Sequence, residues 1–325
     1  MMERALAATL LAACLQAQAF DLEGHRGARG LAPENTLPAF AVALSLGVTT
    51  LETDIAITRD GQLVLSHDPA LNPDVTRGPD GQFLAARGPL IRDLTFDELQ
   101  RYDVGRIRPG TRYAAQFPDQ TPLDGARIPR LADLFALVKR SGNTQVRFDL
   151  ETKVTPTAPD ETIAPEAFAR ALIKAVRDAG MAGRTTIQSF DWRTLQVVQK
   201  EAPEIATAYL TAQQPWLDNV GAGKAGASPW TAGIAFAEHG SVPKMVKAAG
   251  GSIWSSHFAD LDAAKVNEAH ALGLQVLAWT VSTPAQIASV MDLGVDGIVT
   301  DRPDLVREEM KRRGMALPAA TPVRP

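Results

Sequence analysis

Apolar strand-like runs alternate with amphipathic helical patterns along most of the 325-residue chain, and this alternation constrains the fold more than any other feature. There are eight such runs, and a helical or irregular segment separates each of them from the next. They cover residues 20–25, 50–57, 145–151, 186–190, 205–210, 252–255, 275–280 and 297–300. Eight strand–helix units predict an α/β fold, a (β/α)8 TIM barrel spanning residues 20–313. An open doubly wound sheet is the alternative, and it is disfavoured because no glycine-rich phosphate loop opens a helix.

One further run, residues 63–67, departs from the alternation. It follows the second strand after the tight turn Asp60-Gly61. A parallel neighbour needs a crossover of about a dozen residues, so this run must pair antiparallel with its predecessor. The predicted hairpin returns His67 towards Glu52 and Asp54.

Residues 68–127 interrupt the alternation with seven prolines and six glycines. Thr95 and Glu98 have capping-box spacing, which predicts a helix that begins there. We interpret this stretch as a small subdomain inserted after the hairpin. Residues 314–325 are predicted to be a flexible C-terminal tail.

The N-terminus has the pattern of a targeting segment. Arg4 precedes an apolar run that leads to Ala17-Gln18-Ala19, a small-residue cleavage pattern. We therefore expect residues 1–19 to be a signal peptide and the protein to be exported, periplasmic or secreted. The alternative is a lipoprotein anchored at Cys14, since Leu11-Ala12-Ala13-Cys14 resembles a lipobox.

Composition excludes several classes of partner and site. The formal net charge is −4 and the basic residues are scattered, which argues against nucleic acid as the main partner. No run of eighteen apolar residues follows the N-terminus, so we predict no membrane span. Cys14 is the sole cysteine, which excludes a disulfide framework and a zinc–thiolate site.

Chemically active side chains concentrate between residues 24 and 69. His25 and Arg26 end the first predicted strand, and Glu52 and Asp54 lie two positions apart near the end of the second. Residues two apart on a strand share a face, so the two carboxylates can converge. With His67, these groups could bind a metal and a phosphate and transfer protons.

The third predicted strand completes the set. It ends at Glu151, and Lys153 follows two positions later on the same face. Three carboxylates without a cysteine favour one hard divalent cation, Mg²⁺ or Ca²⁺.

Nine short motifs, in this order, resemble the glycerophosphodiester phosphodiesterase family across about residues 21–308. They are Gly24-His25-Arg26-Gly27, Pro33-Glu34-Asn35-Thr36, Glu52-Thr53-Asp54, Asp60-Gly61, His67-Asp68-Pro69, Glu151-Thr152-Lys153, Ser189-Phe190, Trp279-Thr280-Val281 and Thr300-Asp301-Arg302-Pro303. The resemblance implies a TIM barrel with a family-specific insertion. It also implies hydrolysis of small glycerophosphodiesters to an alcohol and sn-glycerol 3-phosphate.

The resemblance also implies residue roles. Glu52, Asp54 and Glu151 would bind the metal, and His25 and His67 would be the acid/base pair. The phosphate contacts would be Arg26 and Lys153, and the residues near the glycerol would be Phe190 and Trp279.

Two positions depart from the family pattern. Arg29 stands where a small residue is usual, and Ser282 stands where Asn is commoner; we expect neither to touch the chemistry directly. Glu34 could contact the site, but it is expected instead to help cap the first helix with Asn35. Asp301 is expected to hold the last strand-to-helix turn rather than a metal. For Trp216 and Trp230, a place at the pocket rim and a purely structural role remain open.

Phosphodiester cleavage needs charge neutralisation, an activated nucleophile and a protonated leaving group. Either histidine can serve as the base, and the nucleophile can be the glycerol 2-hydroxyl or water. A barrel phosphodiesterase for lysophospholipids or phospholipids, and a non-catalytic binding protein on the same fold, are the alternatives.

Overall fold

The computed structural model describes residues 19–325, and in it eight parallel strands close into a barrel. The strands are β1 (Asp21–Gly24), β2 (Thr50–Ile57), β4 (Arg147–Thr152), β5 (Thr185–Ser189), β6 (Ala206–Thr211), β9 (Ile253–His257), β10 (Gln275–Trp279) and β11 (Gly297–Thr300). Closure comes from β1, which pairs in parallel with both β2 and β11. The predicted TIM barrel is therefore confirmed, and the observed strands lie within about two residues of the predicted ones.

A short hairpin follows the second barrel strand. Strand β3 (Leu63–Leu65) pairs antiparallel with the end of β2, with Ile55 opposite Leu65. Gly61 has φ of 77°, as a turn this tight requires. The backbone N–H of Ser66 donates to the carbonyl of Asp54 at 3.0 Å, which brings the chain back to the end of β2 just before His67.

Helices surround the barrel, one main helix after each strand unit. In chain order they are α1 (Leu37–Leu46), α2 (Phe96–Leu99), α3 (Leu131–Arg140), α4 (Pro165–Asp178), α5 (Trp192–Glu201), α6 (Phe236–His239), α7 (Val242–Ala248), α8 (Ala263–Ala271), α9 (Pro284–Asp292) and α10 (Pro303–Arg312). Small antiparallel strands β7 (Gln213–Gln214) and β8 (Leu217–Asp218) lie in the connection after β6. Helices α2 and α6 are single turns in connections and do not belong to the outer ring.

Successive side chains of each barrel strand face opposite sides of the barrel wall. Leu51, Phe148 and Leu150 belong to the large hydrophobic core, which also contains the inner faces of the helices. Their strand neighbours Glu52 and Glu151 are also buried but are not part of that core. Because side chains alternate along a strand, the carboxylates point to the barrel interior while the apolar residues hold the helices in place.

Residues 68–127 contain a second hydrophobic cluster, centred on Leu71, Ile91 and Leu99. Thr95 caps α2 in the predicted capping box: its hydroxyl accepts from the N–H of Glu98, whose carboxylate accepts from the N–H of Thr95. The helix is shorter than its start signal suggests, at four residues. The cluster also includes Ala56, Val64 and Ile128 from outside the insertion, so it packs the insertion against the hairpin.

The C-terminal residues follow α10 without regular secondary structure. Hydrogen bonds link them to α1 and α10: the N–H of Thr321 donates to the Leu44 carbonyl at 2.8 Å, and Arg307 donates to the Pro318 carbonyl. The predicted signal peptide, apart from Ala19, and Cys14 lie outside the described residues. Within residues 19–325, no helix combines the length and the apolar character needed to cross a bilayer.

Candidate active site

The carboxyl ends of the strands surround a cavity of about 450 Å³. Eight of the nine predicted site residues line it, namely His25, Arg26, Glu52, His67, Glu151, Lys153, Phe190 and Trp279. The ninth, Asp54, is 1% exposed and lies beside Glu151 in the β2–β4 register. The structure therefore brings all nine predicted residues together at the end of the barrel where such folds place their active sites.

Three carboxylates form the floor. Glu52, Asp54 and Glu151 each present an oxygen, and these oxygens lie within 4.8 Å of one another. The parallel register of β2 and β4 places Asp54 directly beside Glu151, which explains the convergence. All three side chains are buried and all three donors are oxygens, so the donor set fits a hard divalent cation.

The three carboxyl groups of this triad differ in their pKa values. Burial and the neighbouring Asp54 charge raise the pKa of Glu52 well above its usual range. Burial also raises the pKa of Glu151 to about 7, against the opposing charge of Lys153. Asp54 is buried too, but Arg26 and Lys153 hold its pKa well below its usual range. Glu52 and Glu151 therefore hold their protons to higher pH than free carboxyl groups do, and a bound cation would compete with these protons.

Neutral donors fix two of the carboxylates in place. The side-chain amide of Gln188 donates to Glu52 at 3.0 Å, and that of Asn35 donates to Asp54 at 2.9 Å. Asn35 has φ of 55° and also accepts from the Thr53 hydroxyl. The sequence did not reveal Gln188, because an amide inside a strand has no distinctive spacing.

Two further carboxyl groups, Glu23 and Asp149, are buried on the neighbouring strands β1 and β4. Burial and neighbouring carboxylates raise the pKa of each well above its usual range. Glu23 lies one layer deeper than Glu52, because it pairs in register with Thr50, whereas Asp149 lies beside Glu52 and two residues before Glu151.

Two cations stand over the triad. The Lys153 ammonium lies 2.7 Å from Glu151 and 3.6 Å from Asp54. Arg26 lies 3.2 Å from Asp54 through Nε, and its backbone N–H donates to Glu52 at 2.9 Å. The turn that positions Arg26 is left-handed, with φ of 50°, and Gly27 follows where a Cβ would lie 2.7 Å from the backbone of Ala39. Both cations line the cavity and can contact an anion that lies beside the carboxylate triad.

His25 is held by a carboxylate from the last strand-to-helix turn. Its Nδ1 lies 2.7 Å from Asp301, and its Nε2 lies 3.9 Å from Glu52. Burial, followed by the Arg29 charge, lowers the pKa of His25 to about 4 although Asp301 opposes this. The imidazole is therefore neutral near pH 7, with Nδ1 bound to Asp301 and Nε2 facing Glu52.

His67 lies at the cavity mouth, and its side chain is 36% exposed. Its Nδ1 lies 2.8 Å from Asp68, whose other oxygen accepts from the Asn72 amide at 2.7 Å. Desolvation and the charges of Arg26 and Lys153 lower the pKa of His67. Each histidine therefore has a carboxylate on Nδ1, which leaves Nε2 for the substrate.

Aromatic rings form the opposite wall. Phe190 and Trp279 meet edge to face at 5.3 Å, and Trp216 and His257 contact Trp279 in the same manner. Trp216 is 61% exposed and, like Trp230, lines the cavity, so the rim position is the observed one. His257 also belongs to this aromatic wall, with its ring 5.2 Å from that of Trp279.

One expectation about individual residues was wrong: Thr36, not Glu34 with Asn35, caps α1, and Glu34 instead accepts from Arg26 at 2.6 Å. Asp301, expected to hold the last strand-to-helix turn, also lies 2.7 Å from His25. Arg29 lines the cavity and clamps Asp301 at 2.8 and 3.2 Å, while Ser282 donates to the same carboxylate at 3.2 Å. The two departures from the family pattern thus meet at the group that holds His25.

Comparison with known proteins agrees with this site. The family model described as "Glycerophosphoryl diester phosphodiesterase family" matches residues 25–305. The glycerophosphodiester phosphodiesterase of Caldanaerobacter subterraneus subsp. tengcongensis is 26% identical over 89% of this chain and 97% of its own. Fold and site define a barrel hydrolase for phosphodiesters, and the chain belongs to the glycerophosphoryl diester phosphodiesterase family.

Solved structures show the same architecture. A candidate glycerophosphoryl diester phosphodiesterase from Silicibacter pomeroyi superposes with a TM-score of 0.81 at 35% identity, covering 93% of this chain and 96% of that one. A phosphodiesterase from Oleispira antarctica, solved in complex with the product sn-glycerol-3-phosphate, has a TM-score of 0.64 at 21% identity, with coverage of 90% and 96%.

Proposed function

We propose that the protein hydrolyses glycerophosphodiesters to an alcohol and sn-glycerol 3-phosphate, using a divalent cation and two histidines. The observation that carries the proposal is the convergence of a buried carboxylate triad, two cations and two carboxylate-bound imidazoles on one cavity. Family membership supports the reaction class. The product found in the Oleispira antarctica structure is the one that this reaction would release.

Glu52, Asp54 and Glu151 would hold one Mg²⁺ or Ca²⁺ ion. When bound, the cation supplies positive charge that lowers the cost of charge building up on the phosphate oxygens. Gln188 and Asn35 fix the orientations of Glu52 and Asp54 and thereby the shape of the site.

Arg26 and Lys153 bind the phosphate of the substrate. A guanidinium can contact two phosphate oxygens at once, whereas the ammonium acts as a point charge. Both groups already lie beside the triad, so a phosphate that enters the cavity replaces carboxylate–cation contacts without moving the backbone.

His25 acts as the base and His67 as the acid. The pKa of about 4 keeps His25 unprotonated near pH 7, and Asp301 stabilises the imidazolium that forms when it accepts a proton. His67 lies at the mouth, where the leaving alcohol departs, and Asp68 stabilises its protonated form. The attacking oxygen belongs to the glycerol 2-hydroxyl, which yields a cyclic phosphate that water then opens.

Product analysis distinguishes this route from direct attack by water. Detection of the cyclic phosphate by ³¹P NMR during turnover is the expected result. Incorporation of ¹⁸O from labelled water directly into sn-glycerol 3-phosphate, without a detectable cyclic species, would instead establish water as the attacking nucleophile.

The aromatic wall favours one further substrate class. Trp216, Leu217 and Trp230 add apolar surface to the mouth, and they belong to the connection after β6 rather than to the polar insertion. A lysophospholipid, which carries one acyl chain on the glycerol, is therefore the second candidate substrate. Comparing turnover of glycerophosphocholine and lysophosphatidylcholine separates the two.

Purified protein assayed with glycerophosphocholine tests the central proposal. We expect turnover with added Mg²⁺ or Ca²⁺, loss with EDTA, and a fall of about 100-fold or more in the Glu52→Gln variant. Glu204→Gln, which changes an exposed carboxylate paired with Arg177, is the matched control. Absence of turnover of every glycerophosphodiester by metal-replete protein would refute the proposal.

Export belongs to the same proposal. A signal peptide that ends at Ala19 would deliver the enzyme to the periplasm or the medium, where a mature chain would begin at Phe20. Mass spectrometry of protein from the native host decides between this form and one that carries a lipid on Cys14.

A further inference from the structure

The inserted segment reaches the active site through one hydroxyl group. Tyr113 lies in the insertion, immediately before the 3₁₀ turn Ala114–Gln116. Its hydroxyl donates to the carboxylate of Glu34 and accepts from Arg29 at 3.2 Å. Glu34 and Arg29 both belong to the loop between β1 and α1, which also carries His25 and Arg26.

Each partner of the hydroxyl leads to a different part of the site. Glu34 accepts from Arg26 at 2.6 Å, and Arg26 is the proposed phosphate contact. Arg29 clamps Asp301, which lies 2.7 Å from His25. The Tyr113 hydroxyl therefore links Arg26, the proposed phosphate contact, to Asp301, which holds the proposed base His25.

Packing around this hydroxyl is fixed rather than incidental. The Tyr113 ring meets Phe117 edge to face at 5.1 Å, and the Arg29 guanidinium lies 4.6 Å above the Phe117 ring. Gln120 donates to the Arg29 carbonyl at 2.7 Å, so three residues of one insertion segment contact Arg29. Aromatic packing, a cation–π contact and hydrogen bonds together fix this segment against the catalytic loop.

Tyr113 and Glu34 act from outside the cavity. Among residues 19–325, those lining the main cavity include Arg26 and Arg29 but neither Tyr113 nor Glu34. A substrate in this cavity would therefore meet Arg26 and Arg29 rather than Tyr113 or Glu34. Any effect they have on catalysis must pass through the residues that they hold.

We infer that Tyr113 is a positioning residue: through Glu34 it holds the Arg26 guanidinium in the orientation that binds the substrate phosphate. The inference rests on the proposed function. It gives the insertion a role in the reaction, because the insertion supplies the Tyr113 hydroxyl that contacts Glu34 and Arg29 in the loop between β1 and α1.

Tyr113→Phe tests this inference, since it removes the hydroxyl and leaves the ring packing. We expect the Kd for sn-glycerol 3-phosphate, measured calorimetrically with metal-replete protein, to rise about 10-fold, as loss of a hydrogen bond to a charged group implies. KM for glycerophosphocholine should rise by a similar factor. Tyr102→Phe is the matched control, because Tyr102 packs against the second hydrophobic cluster.

A double-mutant cycle separates positioning from general stability. If Glu34 carries the effect, Tyr113→Phe combined with Glu34→Gln weakens product binding no further than Glu34→Gln alone. A merely structural role would lower Tm and leave the Kd of the folded protein unchanged.

The outcomes distinguish this inference from the proposed function. Wild-type protein without glycerophosphodiesterase activity would refute both. Active wild-type protein and a Tyr113→Phe variant with Kd and KM within twofold of wild type would refute only the role of Tyr113.

Discussion

Asp301 and His25 lie 276 positions apart in the chain, yet the carboxylate oxygen and Nδ1 are separated by 2.7 Å. The contact exists because β1 and β11 are neighbours in the closed barrel, with Gly24 opposite Thr300. The carboxylate fixes the tautomer in which Nε2 is free for proton transfer.

Asp301→Asn preserves the shape of this contact and removes its charge. We expect kcat to fall by about 100-fold or more, since the amide cannot stabilise the imidazolium and favours the wrong tautomer. Steady-state kinetics checks this. Asp304→Asn, which changes a carboxylate that binds only the neighbouring Arg302 among the described contacts, should retain at least about half of the activity.

The two histidines should respond differently to the leaving group. The His67→Ala variant should lose most of its activity towards glycerophosphocholine. Its loss with a p-nitrophenyl phosphodiester should be smaller by a factor of about 10 or more, because a phenolate leaves without protonation. His25→Ala should lose similar activity with both. The reverse pattern would exchange the roles of the two histidines.

Arg29 should set the acid limb of the pH–rate profile. Its charge lowers the pKa of His25, so Arg29→Gln raises that pKa. A base works only when unprotonated, and the limb of kcat/KM at low pH therefore moves to higher pH. Arg106→Gln, which changes an exposed arginine paired with Asp124, should leave the limb in place. An unchanged profile in Arg29→Gln would contradict the assignment of His25 as the base.

Metal-free protein should lose stability as pH rises from about 4.5 to about 7. The pKa of Glu151 is raised from 4.5 to about 7 in the fold, so the folded state binds more protons than the unfolded state across this range. Stability falls with pH where the folded state holds the extra proton. Differential scanning fluorimetry across this range measures it.

Added Mg²⁺ or Ca²⁺ should reverse this trend. A cation competes with the protons of Glu52 and Glu151, so the increase in Tm on adding metal should grow with pH. Burial also raises the pKa of Glu23, which is not in the triad. The loss of stability with rising pH that Glu23 contributes should persist in the Glu52→Gln variant. The increase in Tm on adding metal should be lost in that variant. A metal effect that is equal at pH 5 and pH 7 would argue against the triad as the ligand set.

Local pattern was sufficient to predict the barrel and the convergence of Glu52, Asp54 and His67, whereas Phe190 and Trp279 were named only through the family resemblance. Glu52 and Asp54 lie at the end of a strand, and the Asp60-Gly61 turn shows that His67 must return to them. Period and turn geometry are local properties, so they can be read from one chain.

The supporting contacts could not be predicted in this manner. Asp301 reaches His25 only through closure of the barrel, and Tyr113 reaches Glu34 only because the insertion folds back on the first loop. Arg29 looked like a peripheral departure because its partner is 272 positions away. These contacts depend on the tertiary arrangement, which no local pattern encodes.

Closure of the barrel by β1 and β11 also has a consequence for biosynthesis. The triad lies on β2 and β4, in the first half of the chain, whereas Asp301 follows the last strand. The three carboxylates of the triad are therefore synthesised long before the carboxylate that orients His25. We expect the enzyme to stay inert towards phosphodiesters during translation, until its C-terminal strand has joined the first.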